Sequence, residues 1–384
     1  MKICIVSDVL AEENNGTTIA AMNLIRYLKS KGHEVKVICP ITDYHKDEKD
    51  YYLVPKIRLP RFILKIIEKN NVIIGRVKKG IFQEVMADCD VIHVMLPLFV
   101  GPKAAKYAKK VLNKPVTCGF HAQAENVSSH ILGLMHSKIF NRIIYKRYYK
   151  KTYQYADIIH YPTQFIRDIF ENVVGKTNGY VISNGIQKIF KRNQVSKPDD
   201  LKNKKIILFV GRLSLEKSHS ILIKAVSKSK YEKDIQLIFA GQGPRLKQIQ
   251  KLSKKLLTNE PIINFYSREE LVNIINYSDL YCHPAEAEIE AISCLEATSC
   301  GLVPVISNSP KCATKNFALD DRSLFDYNNP LSLRDKIDYW FDHPLELDKM
   351  RDEYEKNSLK YDFDECMLSM EKMLEDAIRI NNEK

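Results

Sequence analysis

Residues 2–40, KICIVSDVLAEENNGTTIAAMNLIRYLKSKGHEVKVICP, decide the fold. The apolar run KICIVSD (2–8) reads as a buried strand. The loop after it leads into a helix expected from about Thr18 to Lys31, with Ala21, Leu24, Ile25 and Leu28 on one side. Gly32-His33-Glu34 then turns the chain into a second apolar strand, VKVICP. A strand, helix and strand in this order predict parallel pairing, because a parallel partner needs a crossover of about a dozen residues or more.

The same alternation continues outward. Strands are expected at 90–95, 115–121, 157–162 and 180–185, with helices between most of them. After the polar stretch KRNQVSKPDDLKNKK (191–205) a second series begins: strands at 205–212, 235–243, 262–267, 279–284 and 303–308, with helices near 216–229, 244–257 and 289–300. The reading is an α/β chain of two Rossmann-like, doubly wound domains facing across a cleft. The first spans 1–187 and the second 188–361, and a C-terminal helix at about 362–384 is expected to pack back on the first.

Charge separates the halves. Residues 1–190 hold 29 Lys and Arg against 16 Asp and Glu, and residues 191–384 hold 30 against 31, so the whole excess of +12 lies in the first half. Such asymmetry marks a surface that meets phosphate, of lipid or of nucleic acid. The nine cysteines form no C-x-x-C pair and read as reduced core thiols. The N-terminal run lacks the form of a signal peptide, and no apolar run reaches the roughly 18 residues that a membrane span needs. The expected location is the cytoplasm, peripheral on the inner membrane face.

The most specific chemistry lies in PAEAEIEAISCLEATSCGLVPVIS (284–307). Glu288 stands at the mouth of an expected helix and Glu296 in its body. A helix N-terminus attracts a diphosphate, while carboxylates beside it accept hydrogen bonds from sugar and ribose hydroxyls. This stretch resembles the Glu-x7-Glu motif of the family 4 retaining glycosyltransferases of the GT-B fold. VGRLSLEKSHSILIKA (210–225), IFAGQGPRL (238–246) and VISNGI (181–186) are similar to further segments of that family, in the same order.

The resemblance implies a set of roles. Arg212 and Lys217 clamp the diphosphate beside Gly211 and Gly241, Glu296 takes the ribose, and Glu288 takes the donor sugar. Backbone N–H groups of Ile289, Glu290 and Ala291 stand where relatives carry a Gly-Phe-Gly run. Gly16 and Thr17 occupy the N-terminal loop in which many relatives have a glycine pair. His121, expected at a strand's carboxyl end, matches a histidine beside the donor hexose. The donor implied is a UDP-hexose, transferred with retention. No cofactor and no metal are expected, since Asp88-Cys89-Asp90 and Asp362-Phe363-Asp364 lie away from every donor motif.

On the acceptor side, SKIFNRIIYKRYYKK (137–151) carries six cations, Lys138, Arg142, Lys146, Arg147, Lys150 and Lys151, and no acid. Ile139, Phe140, Ile143, Ile144 and Tyr148 are expected on one helical side, a pattern suited to an anionic membrane surface. The stretch 60–82 has similar character. FHAQAENVS (120–128) resembles the branch that glycosylates diacylglycerol or ceramide, so a lipid hydroxyl is the expected acceptor and an α-glycolipid the product. A polyprenyl-linked saccharide suits the same surface. A nucleic-acid-binding protein explains the charge and the 20 tyrosines but leaves Glu288 and Glu296 without a role. A non-catalytic GT-B scaffold is the reading suggested by the altered Ile289-Glu290-Ala291 run.

Overall fold

The computed structural model describes residues 1–10, 16–57, 73, 75–128 and 136–383. It divides into two compact units: Met1–Asn184 with Asp364–Lys384, and Gly185–Phe363. Most of the basic stretch at 60–82 lies outside the described residues.

The first unit contains β1 (Lys2–Val6), α1 (Gly16–Ser30), β2 (Glu34–Pro40), β3 (Tyr51–Val54), α2 (Ile81–Met86), β4 (Val91–Val94), α3 (Gly101–Lys110), β5 (Val116–Gly119), α4 (Ala124–Ser128), α5 (Lys138–Lys151), β6 (Ile158–Tyr161), α6 (Gln164–Val174) and β7 (Gly179–Val181). Its seven strands run in the order β3-β2-β1-β4-β5-β6-β7, every pair parallel. Ile3, Cys4, Ile5 and Val6 are all fully buried, as a parallel strand covered on both faces requires. Ala21, Leu24, Ile25 and Leu28 of α1 are buried as the periodicity indicated, and Tyr27 joins them.

The second unit contains β8 (Lys205–Val210), α7 (His219–Val226), β9 (Ile235–Ala240), α8 (Leu246–Leu256), β10 (Ile262–Asn264), α9 (Arg268–Tyr277), β11 (Leu280–His283), β12 (Ala287–Glu288), α10 (Ile292–Ser299), β13 (Pro304–Ser307), β14 (Lys311–Cys312), β15 (Leu324–Phe325), α11 (Pro330–Asp342) and α12 (Pro344–Ser358). Its main sheet has the order β10-β9-β8-β11-β13-β15, again parallel, and β12 pairs with β14. Two-residue alternation feeds two cores. Ile207 and Phe209 pack with Leu222, Trp340 and Met350, whereas Ile206 and Leu208 pack with Ile274, Cys294 and Leu295.

The final helix, α13 (Phe363–Asn382), belongs to the first unit. Glu371 accepts from the Tyr27 hydroxyl at 3.2 Å and meets His33 Nε2 at 2.6 Å, and Tyr180 donates to Asp376 at 2.7 Å. All nine cysteines are buried and unbridged. Among the described residues no helix is long and apolar enough to cross a membrane.

Helix α5 departs from the expected face. Its buried residues are Asn141, Tyr145 and Tyr148, while Ile139 is 76% and Ile143 57% exposed. The inward side is fixed by polar contacts that hydropathy does not register: the buried Glu125 carboxylate accepts from Tyr145 Oη at 2.7 Å and from Asn141 Nδ2 at 3.3 Å. Tyr148 therefore does not share a side with Ile139 and Ile143.

Candidate active site

In an open parallel sheet, ligands gather beyond the carboxyl ends of the strands where the strand order reverses. In the second unit this is between β8 and β11. Gly211 follows β8 with φ of 149°, a conformation that favours glycine. The loop carrying Arg212 lies against the turn after β9. Leu213 N–H donates to Gln242 O at 3.0 Å and Arg245 N–H to Leu213 O at 2.9 Å. A Cβ on Gly241 would sit 2.0 Å from Gly211 O, and one on Gly243 would sit 2.5 Å from Leu213 O. The Gly-x-Gly turn is thus a packing requirement that sets the position of the Arg212 loop.

Charged groups pair around this loop. Arg212 donates to Glu216 at 3.0 Å, and Glu216 also accepts from Ser214 Oγ. Burial pushes the Glu216 carboxyl up, but Arg212, Ser214 and Lys217 outweigh it and leave it below the ordinary range. Lys217 Nζ contacts Glu288 Oε2, and His283 Nε2 lies 3.5 Å from the same oxygen. Burial again raises the Glu288 carboxyl, and Lys217 with His283 reverses this and holds it at about 2.

Glu288 ends β12, paired in register with Cys312, and the chain enters α10 through Ala291 at φ 61°. A left-handed alanine costs about 1–2 kcal/mol, so the bend is held by its surroundings. Glu296 projects from the body of α10, nearly buried, and accepts from Arg268 at 2.6 Å. The Arg268 guanidinium in turn lies 4.6 Å from the Phe190 ring centre. Burial raises the Glu296 carboxyl, with Arg268 opposing.

The second unit therefore holds Gly211, Arg212, Lys217, Gly241, Glu288, Ile289, Glu290, Ala291 and Glu296. Gly16 and Thr17 open α1 in the first unit, and Gly16 has neither a positive φ nor a close neighbour that demands glycine. His121, two residues beyond β5, is also in the first unit. Its ring is 5.4 Å from that of His160, and its buried Nε2 has no hydrogen-bond partner among the described residues. Burial, then His160 and His93, push the His121 pKa well below its ordinary value, so the ring is neutral. Lys138, Arg142, Lys146, Arg147, Lys150 and Lys151 all lie exposed on α5.

Sequence reasoning gave no role to Glu216, Arg268, His283 or Gly119. The first three act through partners distant in the chain or hidden in a local ion pair. Gly119 had a detectable signal, a glycine two residues before His121: its missing Cβ would lie 2.7 Å from the His121 ring. A cavity of about 560 Å³ at the other end of β8, lined by Lys197, Lys205, Asp279 and Trp340, is a different place from the carboxylate pair.

Residues 14–188 match the family model described as Glycosyltransferase Family 4, and residues 190–360 that described as Glycosyl transferases group 1. A GDP-mannose-dependent alpha-mannosyltransferase of Corynebacterium glutamicum is 25% identical over 320 residues, 80% of this chain and 72% of the relative. The alpha-monoglucosyldiacylglycerol synthase of Streptococcus pneumoniae is 22% identical over 321 residues, 80% of this chain and 71% of its own. The solved catalytic domain of cholesterol-alpha-glucosyltransferase from Helicobacter pylori is 49% identical across 41% of this chain and 98% of that one, with a TM-score of 0.40. Anabaena HepE in complex with UDP-glucose superposes with a TM-score of 0.75 at 14% identity, covering 98% of this chain and 100% of its own. Two parallel α/β units, family matches across nearly the whole chain and whole-chain likeness to GT-B structures lead to one assignment: the chain belongs to the family 4 glycosyltransferases of the GT-B fold.

Proposed function

We propose that this glycosyltransferase moves a hexose from a UDP-hexose to a hydroxyl of a membrane lipid, diacylglycerol or ceramide, with retention, giving an α-glycolipid. The observation that carries the donor half is the Lys217–Glu288 pair just ahead of α10, with Arg212 and Glu296 in the same unit. A departing nucleoside diphosphate gains negative charge as the glycosidic bond breaks, and fixed cations stabilise that change. Arg212 and Lys217 supply them in this reading, so catalysis proceeds without a metal. Glu296 takes the ribose hydroxyls, Glu288 the sugar hydroxyls, and the backbone of Ile289, Glu290 and Ala291 meets the donor. Gly16 and Thr17 are assigned to the donor phosphate and neutral His121 to a sugar or acceptor hydroxyl.

The acceptor half rests on α5. Ile139 and Ile143 point outward among Arg142, Lys146, Arg147 and Lys150, which suits an anionic bilayer surface, with each cation adding about 1 kcal/mol near the membrane. The glucosyldiacylglycerol synthase relative favours a lipid hydroxyl, and the mannosyltransferase relative makes GDP-mannose the donor to test against.

The test offers UDP-glucose, UDP-galactose and GDP-mannose to the purified protein with anionic vesicles containing diacylglycerol, ceramide, cholesterol or a polyprenyl phosphate, with and without EDTA. Mass spectrometry identifies the product and NMR its anomer. An α-hexosyl diacylglycerol or ceramide formed equally in EDTA supports the proposal. Transfer to sterol or polyprenyl carrier alone overturns the acceptor, transfer from GDP-mannose alone overturns the donor, and loss of activity in EDTA overturns metal independence.

A further inference from the structure

Behind Glu288 lies a buried chain of polar groups that the donor motifs do not include. Tyr281 and His283 stand two residues apart on β11, so both project to the same face of the sheet, and both are at most 1% exposed. Tyr281 Oη lies 3.2 Å from His283 Nδ1 and 3.1 Å from Ser293 Oγ on α10, and Ser293 is 3.1 Å from Val210 O. The imidazole lies near-parallel to the rings of Tyr281, centroid distance 6.0 Å, and Phe209, 6.1 Å, at interplanar angles of 17° and 21°. Its burial and its contact with Tyr281 Oη restrict its rotation. Its Nε2 is buried, has no hydrogen-bond partner in regular geometry among the described residues, and lies 3.5 Å from Glu288 Oε2.

Leaving a buried polar nitrogen unpaired costs roughly 1–3 kcal/mol, so the direction of that nitrogen needs a cause. Two proton arrangements are open. In one, the Ser293 hydroxyl donates to Val210 O, Tyr281 to Ser293 and His283 Nδ1–H to Tyr281, which fills every contact but turns a bare Nε2 toward the carboxylate. In the other, Tyr281 donates to Nδ1, the one Ser293 proton serves either Val210 O or Tyr281, and Nε2–H points at Glu288. An ionised carboxylate selects the second.

We propose that His283 is a positioning residue for Glu288: its Nε2–H, oriented by Tyr281, holds Oε2 in place so that Oε1 is presented to a hydroxyl of the transferred sugar. Among the described residues none hydrogen-bonds Oε1. Lys217 alone does not fix the carboxylate, because a flexible ammonium follows its partner whereas a buried ring held by Tyr281 does not. The proposal deepens the reading of Glu288 as the sugar-binding group and rests on it for its kinetic consequence only.

Two measurements test it. In protein labelled with 15N-histidine, with the His283 signals assigned by their loss in H283Q, the proton resides on Nε2 at neutral pH in the unmodified protein. It moves to Nδ1 in E288L, which offers Nε2 no acceptor. A proton on Nδ1 in the unmodified protein overturns the proposal. In kinetics with UDP-glucose and vesicles containing diacylglycerol, H283L lowers kcat on the order of 100-fold, the loss expected when a reacting group is misplaced by about 1 Å. H283Q, whose amide nitrogen reaches the same place, recovers most of it, and Y281F, which keeps the ring, loses about tenfold, near the value of one hydrogen bond. Calorimetric affinity for UDP, which has no sugar, stays level in all three. Unchanged kcat in H283L and Y281F, or equal loss of UDP binding and turnover, overturns the proposal. If the unmodified protein transfers no hexose from any nucleotide-sugar, the functional reading fails and the tautomer measurement decides this proposal alone.

Discussion

Replacing Glu288 by Gln should strengthen UDP binding while it weakens sugar transfer. Without donor, Lys217 Nζ is engaged by the Glu288 carboxylate. A diphosphate clamped by Lys217 must either displace that carboxylate or sit beside it, and both cost free energy. A charge about 5–6 Å away at an effective dielectric near 20 opposes the incoming anion by about 3 kcal/mol. The Glu288 side chain is 15% exposed, so solvent and salt reduce this, and about 1.5–3 kcal/mol remains, or a roughly 10- to 100-fold gain in UDP affinity for E288Q. With the amide oxygen kept by Lys217, the same substitution puts an NH2 donor where Oε1 would accept from sugar hydroxyls, so kcat for UDP-glucose falls on the order of 100-fold. Calorimetry with UDP at low and moderate salt reads the first effect, and product formation reads the second. Equal or weaker UDP affinity in E288Q refutes the reasoning, because it means that Lys217 is not contested between carboxylate and diphosphate.

Gly243→Ala drives a methyl group into the backbone at Leu213, so it should lower the thermal midpoint and weaken UDP binding through displaced Arg212; a neutral result removes the packing account of the turn. Arg268→Leu leaves the buried Glu296 carboxylate without its partner, for a loss of about 3–5 kcal/mol measured by denaturant unfolding. For pH, the Glu288 carboxyl is depressed from 4.5 to about 2. Its contribution, about 3 kcal/mol, is therefore present above pH 4.5 and lost as pH falls toward 2, so the thermal midpoint of the unmodified protein should fall more steeply over that window than that of E288Q. Replacing both Ile139 and Ile143 by Glu should abolish binding to anionic vesicles without altering UDP affinity, and binding of the unmodified protein should weaken steeply with salt, as sedimentation with liposomes will read.

The sheet architecture was readable because parallel strands buried on both faces are continuous apolar runs, and β8 and β9 stand out as such between charged stretches. The short strands were not. β15 is two residues long and β3 four, and each is stabilised by a neighbour rather than by its own composition. The Glu288 and Glu296 spacing was readable because both lie on one short segment. Their partners were not, since His283 is bound to its role by a ring stack and Arg268 by a contact 28 residues away. Helix α5 failed for a physical reason: the inward residues are two tyrosines and an asparagine, of which Tyr145 and Asn141 bond the buried Glu125, and hydropathy alone turns the isoleucines inward instead.

The two sheets share the order of their first six strands, yet the residue two places beyond the first strand differs in charge between them. The second residue after the first strand is Asp8 in one unit and Arg212 in the other. In the first unit Asp8 turns its buried carboxylate to the start of the helix that follows the fourth strand, accepting N–H bonds from Phe99 at 2.9 Å and Gly101 at 3.1 Å, and from Val100 between them. That carboxylate already occupies the positive end of α3, so a phosphate there would meet a like charge. In the second unit the same place in the fold carries a cation, and the carboxylates Glu216 and Glu288 are held by Arg212 and Lys217 rather than by backbone N–H groups. Bulk charge points the other way, since the excess of +12 lies in the first half of the chain. The charge at each helix end is therefore set by the side chain that follows the first strand, not by the net charge of the half that carries it, whose cations include the six exposed on α5.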